Sequence, residues 1–372
     1  MNTSGLRTWV EVDTAALKHN YHIFRSLISK KCALMAVTKS NAYGHSLIDF
    51  SRFMQKMGAD WFGVDSVVEA NVLRKNGIRK PILVLGHTIN TRHKEAAAQN
   101  ISVTVSTFEG LADIAHHRNQ KKLKVHVKVD TGMHRQGFYN EQLPLVCETL
   151  QKISSRVQFE GLYTHFAGTK NPAFPQDTHA QFKKFIEAID IVEGYGFNPM
   201  KHAAATYGTV VFPEAHFDMV RIGIGMYGLW PSEEAEYAFS NRIILKPALT
   251  WKTIVSEIKE LPAGSRVGYD FTEMVPERTI SAVCPVGYWH GYPRALSSIG
   301  NFLVKGKRAK VLGRISMDII VIDITGIKNV HVGDEAIMVG DSMRVEEVAR
   351  LASSFNYELV TRINPLIKRF YI

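Results

Sequence analysis

The chain has 372 residues, 45% of them hydrophobic and 22% charged, and its 45 Lys and Arg against 35 Asp and Glu leave a net charge of +10. That length suits one large or two medium domains, and the ordinary globular mix excludes collagen-like and disordered classes. The basic residues are scattered, with no Lys/Arg block or arginine-rich tail, so nucleic-acid binding is not expected despite the charge. Cys32, Cys147 and Cys284 lie far apart and form neither a CxxC pair nor a zinc spacing, which fits free thiols in a reducing compartment. The opening MNTSGLRTWVEVD has no apolar leader, and no apolar run approaches the roughly 20 residues that cross a membrane. A cytoplasmic, non-membrane protein is expected.

Near the start, TWVEVD alternates apolar and polar residues, as a half-buried strand does. From about residue 10 to 230, short apolar runs then alternate with longer amphipathic stretches. The runs are 32–38, 61–65, 81–86, 101–105, 123–129, 157–165, 200–205 and 217–223, and several are near-continuous, as strands buried on both faces should be. Residues 66–76 open on Ser66 as a helix cap, carry Glu69 three positions on, and stop at Gly77. Segments 107–118 and 176–194 have similar helical patterns. Eight strands alternating with helices predict a (β/α)8 barrel over residues 10–235. A doubly wound sheet is the rival, but its Gly-rich dinucleotide loop is missing, and KSNAYGHS follows the first barrel strand instead. After residue 240 the runs become short and turn-punctuated, with one helical segment near 344–354. They predict a mostly β domain over 236–372, joined by the N-terminal strand 8–13.

Barrel catalysts stand at the C-terminal ends of strands. Those ends carry Lys39, Asp65, Lys128, Asp130, His165, Thr206 and Arg221. Any one of them is as well explained by a strand end meeting water. Lys39 stands out, because an amine at the end of a buried strand has a low-dielectric neighbourhood and can serve as nucleophile and base. At the last strand, RIGIGMYG places glycines where barrels often bind phosphate through backbone N–H groups, with Thr206 available as a hydroxyl. A lysine able to bond a carbonyl and a phosphate cradle together outline a pyridoxal phosphate site.

The segment AVTKSNAYGH resembles the cofactor-lysine motif of alanine racemases, pyridoxal phosphate enzymes of fold type III. DTGMHRQG, THFAGT, HAAAT, DMVRIGIGMYG, RVGYDFT, VGYWHGYPR and GRISMDIIVIDIT follow in the family's order, so the likeness spans essentially the whole chain. The resemblance implies that Lys39 carries the cofactor covalently and that Tyr43, Thr206, Gly223 and Ile224 hold its phosphate. It places His165 against the pyridine ring and Arg221 at the ring nitrogen. Lys128 matches a lysine often carbamylated in the family, positioning Arg135 for the substrate. Tyr269 becomes the second catalytic base, with Tyr288, Met317 and Asp318 at the substrate end. In the family these last four come from the partner subunit, which implies a homodimer with shared sites. The implied activity is interconversion of L- and D-alanine by two bases, for D-alanine supply to peptidoglycan.

Three positions depart from the pattern. His134 stands where glycine is usual and is expected to crowd the loop bearing Arg135. Ala205 replaces a common Asn. Pro365 stands where many members carry a phosphate-contacting tyrosine, implying that this contact is lost. A racemase for another amino acid such as serine, a binding protein without strong catalysis, and a fold-type III decarboxylase are the competing readings. His116 and His117 read as a solvated helix face, His126 as core, His202 as a residue behind the site, and Lys305, Lys307 and Lys310 as a solvated hairpin. No metal site is expected.

Overall fold

The computed structural model describes residues 3–116, 121–169 and 175–372, and His117 lies outside them. By internal contact the chain divides into two units, one of 18–42 and 47–246, the other of 1–17, 43–46 and 247–372. The first unit therefore runs on to Lys246, beyond the boundary expected near 235, and the acidic stretch there is a helix, Glu233–Phe239, capped by Ser232.

Numbering strands along the chain, Thr8–Val12 is β1 and belongs to the second unit. The first unit holds β2 (Ala33–Val37), β3 (Trp61–Val64), β4 (Ile82–Val84), β5 (Ile101–Val105), β6 (Leu123–Lys128), β7 (Val157–Tyr163), β8 (Met200–His202) and β9 (Met219–Ile222). They form one eight-stranded sheet in the order β8-β7-β6-β5-β4-β3-β2-β9. All its pairings are parallel. The two ends meet through an isolated parallel bridge between Ala205 and Arg221 and the hydrogen bond from Arg221 N to Ala204 O, 3.0 Å. This is the expected barrel. β3, β4 and β5 are buried at every position, which is why they read as near-continuous apolar runs.

The helices start where the sequence places them. Ser66 Oγ accepts from Glu69 N at the head of Val67–Lys75, and Thr107 Oγ1 accepts from Gly110 N at the head of Phe108–Ala115. Such caps satisfy N–H groups that have no partner within the helix.

One irregularity matters for the site. The β6–β7 register shifts between Val125 and His126, so that Glu160 is skipped and Gly161 faces His126. A bulge of this kind re-aims side chains. Gly161 is required there, because a Cβ would stand 2.1 Å from His126 Nδ1.

The second unit holds β10 (Leu249–Ile254), β11 (Glu257–Leu261), β12 (Arg266–Val267), β13 (Glu273–Met274), β14 (Thr279–Cys284), β15 (Asn301–Val304), β16 (Lys307–Leu312), β17 (Ile320–Asp323), β18 (Glu335–Val339) and β19 (Arg369–Tyr371). Apart from the β12–β13 pair, they and β1 form a nine-stranded sheet, β11-β14-β17-β16-β15-β18-β10-β1-β19. β10 alternates buried and half-buried residues, the mark of a sheet packed on one face. β15 and β16 form the hairpin expected around Gly306, with Lys305 and Gly306 both at positive φ. The expected helix is Val345–Leu351, and a second one, Asn356–Arg362, was not legible.

We expect Gly161→Ala to lower the stability of the barrel unit by about 3 kcal/mol, since the added methyl must displace a buried, hydrogen-bonded imidazole. The denaturant midpoint measures it, and an unchanged midpoint would mean that His126 moves aside freely.

Candidate active site

Lys39 closes the first barrel strand and opens an unusual turn. Ser40, Asn41, Ala42 and Tyr43 all have φ between 50° and 56°. Left-handed backbone costs about 1–2 kcal/mol per non-glycine residue, so the turn persists only because it is anchored. Ala42 N donates to Thr38 O at 2.8 Å and Leu47 N to Asn41 Oδ1 at 2.9 Å. Ser40 N donates to Glu69 Oε1 at 2.8 Å. Lys39 Nζ lies 3.9 Å from Asp65 Oδ1 at the end of the neighbouring strand.

Arg221 is buried at the end of β9. Nη1 donates to His202 Nδ1 at 2.8 Å, and Nη2 to Thr164 O at 2.7 Å and Ala203 O at 3.0 Å. The same nitrogen lies 3.3 Å from His165 Nδ1. Behind it runs a buried relay: His202 Nε2 and His126 Nδ1 are 2.9 Å apart, and His126 Nε2 is 3.2 Å from Glu160 Oε2. Arg221 can only donate, so His202 Nδ1 accepts, its Nε2–H donates to His126, and His126 donates to Glu160. Burial, then Arg221 and His126, push the pKa of His202 well below its ordinary value, so it stays neutral. Burial opposes ionisation of Glu160, but hydrogen bonds from His126, Ser102 and Lys124 bring its carboxyl down to about 2.

At the same strand ends, Thr206 Oγ1 accepts from Gly223 N at 3.0 Å, which leaves its O–H free to donate. Ile224–Tyr227 begins a helical turn whose first N–H groups have no partner within it. Gly225 lets this loop close, since a Cβ would sit 2.6 Å from Thr206 Cγ2. His165 is pulled below its ordinary pKa by burial and by Arg221, Arg135, Lys128 and Lys39.

Arg135 rides on a loop folded around Asp130, whose carboxylate accepts from Gly132 N, His134 N and Arg135 N at 2.9, 3.0 and 3.1 Å. His134 has φ 53°, a strained value that glycine would tolerate. Its ring is exposed, with Nδ1 3.4 Å from Tyr139 OH, so the expected crowding gives way to a purely backbone cost. Lys128 is buried and donates to Gln136 Oε1 at 3.0 Å. Burial, then the charges of Arg135 and Arg221, lower its pKa from 10.5 to about 8.

In the second unit, Tyr269, Met317 and Asp318 line an open pocket with Gly268, Ser316 and Ile319. Tyr288 N donates to Ser316 O at 3.1 Å, which draws its turn to the same place. The structure thus gathers Lys39, Lys128, Arg135, His165, Thr206, Arg221, Gly223 and Ile224 in one unit and Tyr269, Tyr288, Met317 and Asp318 in the other. Tyr43 packs in the second unit, its ring centroid 5.9 Å from that of Tyr357.

Two family models match, the alanine racemase N-terminal domain over residues 12–231 and the alanine racemase C-terminal domain over 248–371. An alanine racemase of Desulforamulus reducens is 38% identical over 98% of both chains. Alanine racemase 2 of Bacillus subtilis is 35% identical over 98% of this chain and 94% of its own. Among solved structures, the alanine racemase of Bacillus anthracis with bound L-Ala-P superposes with a TM-score of 0.93 at 31% identity, covering 98% of this chain and 95% of the other.

The chain belongs to the alanine racemase family.

Against the family pattern, Ala205 caps the helix Thr206–Val211 without a side-chain hydrogen bond. Pro365 is exposed in the turn before β19. The ring beside Tyr43 is that of Tyr357, on the helix that sequence reading missed. The relay through His126 and Glu160 was also missed: His126 is core, as expected, but it is polar core in the service of Arg221.

The depressed Lys128 pKa has a measurable consequence. Between about 8 and 10.5 the unfolded chain binds a proton that the folded one does not, so stability rises with pH there, and the buried cation is unfavourable below about 8. In bicarbonate-free buffer, Lys128→Met should therefore raise the melting temperature at pH 7, and its advantage should fade as pH climbs from about 8 to 10.5. A pH-independent difference would mean that the amine is not held in this environment.

Proposed function

We propose that this chain interconverts L- and D-alanine, with pyridoxal phosphate bound through Lys39 and with two protein bases on opposite faces of the substrate's α-carbon. The observation that carries this reading is the convergence, in one barrel unit, of the strand-end amine of Lys39, the buried guanidinium of Arg221 and the Thr206–Gly223 loop. The residues fit the cofactor. Thr206 O–H and the first N–H groups of the turn at Ile224 suit a phosphate, a role Tyr43 would share, and Arg221 suits a ring nitrogen that accepts a hydrogen bond. When bound, the cofactor would supply an electron sink for the α-carbon.

The chain's own groups supply the rest. Arg221 stays charged at neutral pH and does not give up its proton, so it would hold the ring nitrogen unprotonated. Its relay fixes it in place and keeps His202 in the tautomer that accepts from it. His165, held neutral, would pack on the ring. Arg135, on its Asp130-bound loop, would receive the substrate carboxylate. Lys128, with its amine partly unprotonated near neutral pH, has the form that reacts with carbon dioxide, and a carbamate there would draw on the neighbouring Arg135. Tyr269 would serve the face opposite Lys39, with Tyr288, Met317 and Asp318 around the substrate.

A decarboxylase of the same fold type is disfavoured. Such an enzyme needs a cysteine near the second base, whereas all three thiols here are buried, with pKa values raised chiefly by burial, and none lines the Tyr269 pocket. A homodimer sharing its sites accounts for the apolar side chains exposed around that pocket, among them Phe271, Trp289, Met317 and Ile319. No helix among the described residues is long and apolar enough to cross a membrane. A cytoplasmic enzyme supplying D-alanine for peptidoglycan is the setting we infer.

Incubation with L-alanine should yield the racemic mixture without release of carbon dioxide, and borohydride should fix the cofactor to Lys39. Labelling of another lysine, or decarboxylation, would reject the reading.

The base assignment has its own check. Tyr269→Phe keeps the ring, so folding and cofactor binding should survive. Exchange of the α-proton of L-alanine with solvent should fall by about 10²–10⁴, while exchange from D-alanine persists. Equal loss on both sides would remove Tyr269 from its role.

A further inference from the structure

We infer that Glu69 is a positioning residue for Lys39, clamping the loops after β2 and β3 together through their backbones. The inference rests on Lys39 being the cofactor lysine.

Glu69 lies in the first turn of the helix Val67–Lys75. The Ser-x-x-Glu pattern at 66–69 predicts a capping box in which the glutamate reaches back to the N–H of Ser66. The structure shows half of it: Ser66 Oγ takes Glu69 N at 3.3 Å. The carboxylate goes elsewhere. Its Oε2 accepts from Asp65 N at 2.7 Å and its Oε1 from Ser40 N at 2.8 Å. One side chain thus ties the residue after Lys39 to the residue whose carboxylate lies 3.9 Å from the Lys39 amine.

The chemistry of the turn explains why this is needed. Ser40 is the first of five consecutive residues at positive φ, of which only Asn41 and Gly44 are of types that readily adopt that backbone. The strand hydrogen bonds stop at Thr38, whose N donates to Gly63 O at 2.7 Å. The turn's own bond from Ala42 N to Thr38 O spans Lys39 but does not engage Ser40 N. A carboxylate has enough lone pairs to receive both N–H groups at once, and its charge strengthens both bonds. Asp65 is itself confined, because Gly86 packs so closely that a Cβ would meet Asp65 O at 2.3 Å. Through Glu69 the strained turn inherits that rigidity, and the Lys39 side chain leaves a fixed point.

Glu69→Gln and Glu69→Asp test this on the whole protein. A glutamine offers one acceptor oxygen and turns its NH2 toward the second N–H. An aspartate is one methylene short of spanning both. In cofactor-free protein, amide exchange at Ser40, followed by mass spectrometry of overlapping peptides that begin at or before residue 36, should quicken on the order of ten-fold in each variant. The rate of cofactor uptake, followed by visible absorbance, should fall by a similar factor. Ser66→Ala is the control, because it removes the cap of the same helix but leaves the Glu69 carboxylate in place. It should change neither quantity. Wild-type exchange and uptake rates in both Glu69 variants, or equal effects in Ser66→Ala, would overturn the inference. Borohydride labelling of wild type away from Lys39 would instead overturn the functional reading, and the inference with it.

Discussion

The barrel closes on a buried cation. The bridge between Ala205 and Arg221 joins the end of β8 to β9, the two ends of the sheet, and the side chain of Arg221 then spans to His202, Thr164 and Ala203. A guanidinium removed from water must find acceptors, and breaking such a set typically costs about 3–5 kcal/mol. Two of these acceptors are backbone carbonyls and the third is an imidazole locked by a second imidazole and a carboxylate. The bulge at Glu160 and the missing side chain at Gly161 exist in the service of this arrangement. One aims the carboxylate at His126, and the other makes room for the ring. The closure of the fold and the character of the candidate site thus depend on the same side chain.

A second constraint acts in the loops at the same C-terminal strand ends. Strain at Ser40–Tyr43 and at His134 persists only where surrounding groups over-determine it. In both places a carboxylate contributes by collecting backbone N–H groups, Glu69 at the first turn and Asp130 at the second. The two loops that present Lys39 and Arg135 are therefore built alike. In each, an acidic side chain spends its lone pairs on the main chain rather than on the nearby cation.

Much of this was legible in the sequence, for physical reasons. Parallel strands buried on both faces leave near-continuous apolar runs, so 101–105 and 217–223 announce β5 and β9 almost to the residue. Side-chain caps are local, so Ser66 and Thr107 mark their helices. The relay was not legible, because residues 126, 160, 202 and 221 meet only once β6, β7, β8 and β9 are neighbours. Nor was the left-handed turn, since Ser40, Ala42 and Tyr43 carry no preference for it. Tyr357 escaped because its helix is short and has no side-chain cap. The family motifs pointed to Lys39 and Arg221, but not to the groups that hold them.

The charge balance of the barrel site suggests why a racemase of this build would recruit its second base from outside the barrel. Lys39, Lys128, Arg135 and Arg221 lie close enough for their fields to depress His165 together. Such a cluster suits a phosphate and a carboxylate, both anionic. It suits a second proton acceptor poorly. His165 is neutral, with Nδ1 turned to Arg221. Lys128 is engaged with Gln136 and sits over the Tyr163 ring. Asp130 is saturated by backbone N–H groups. On the proposed reading, Lys39 is the barrel's proton-removing group, and none of these other described groups stands free beside it. A phenol such as that of Tyr269 brings no charge when protonated. On the proposed reading, cations that would hold the cofactor and substrate favour a second group that carries no charge when protonated.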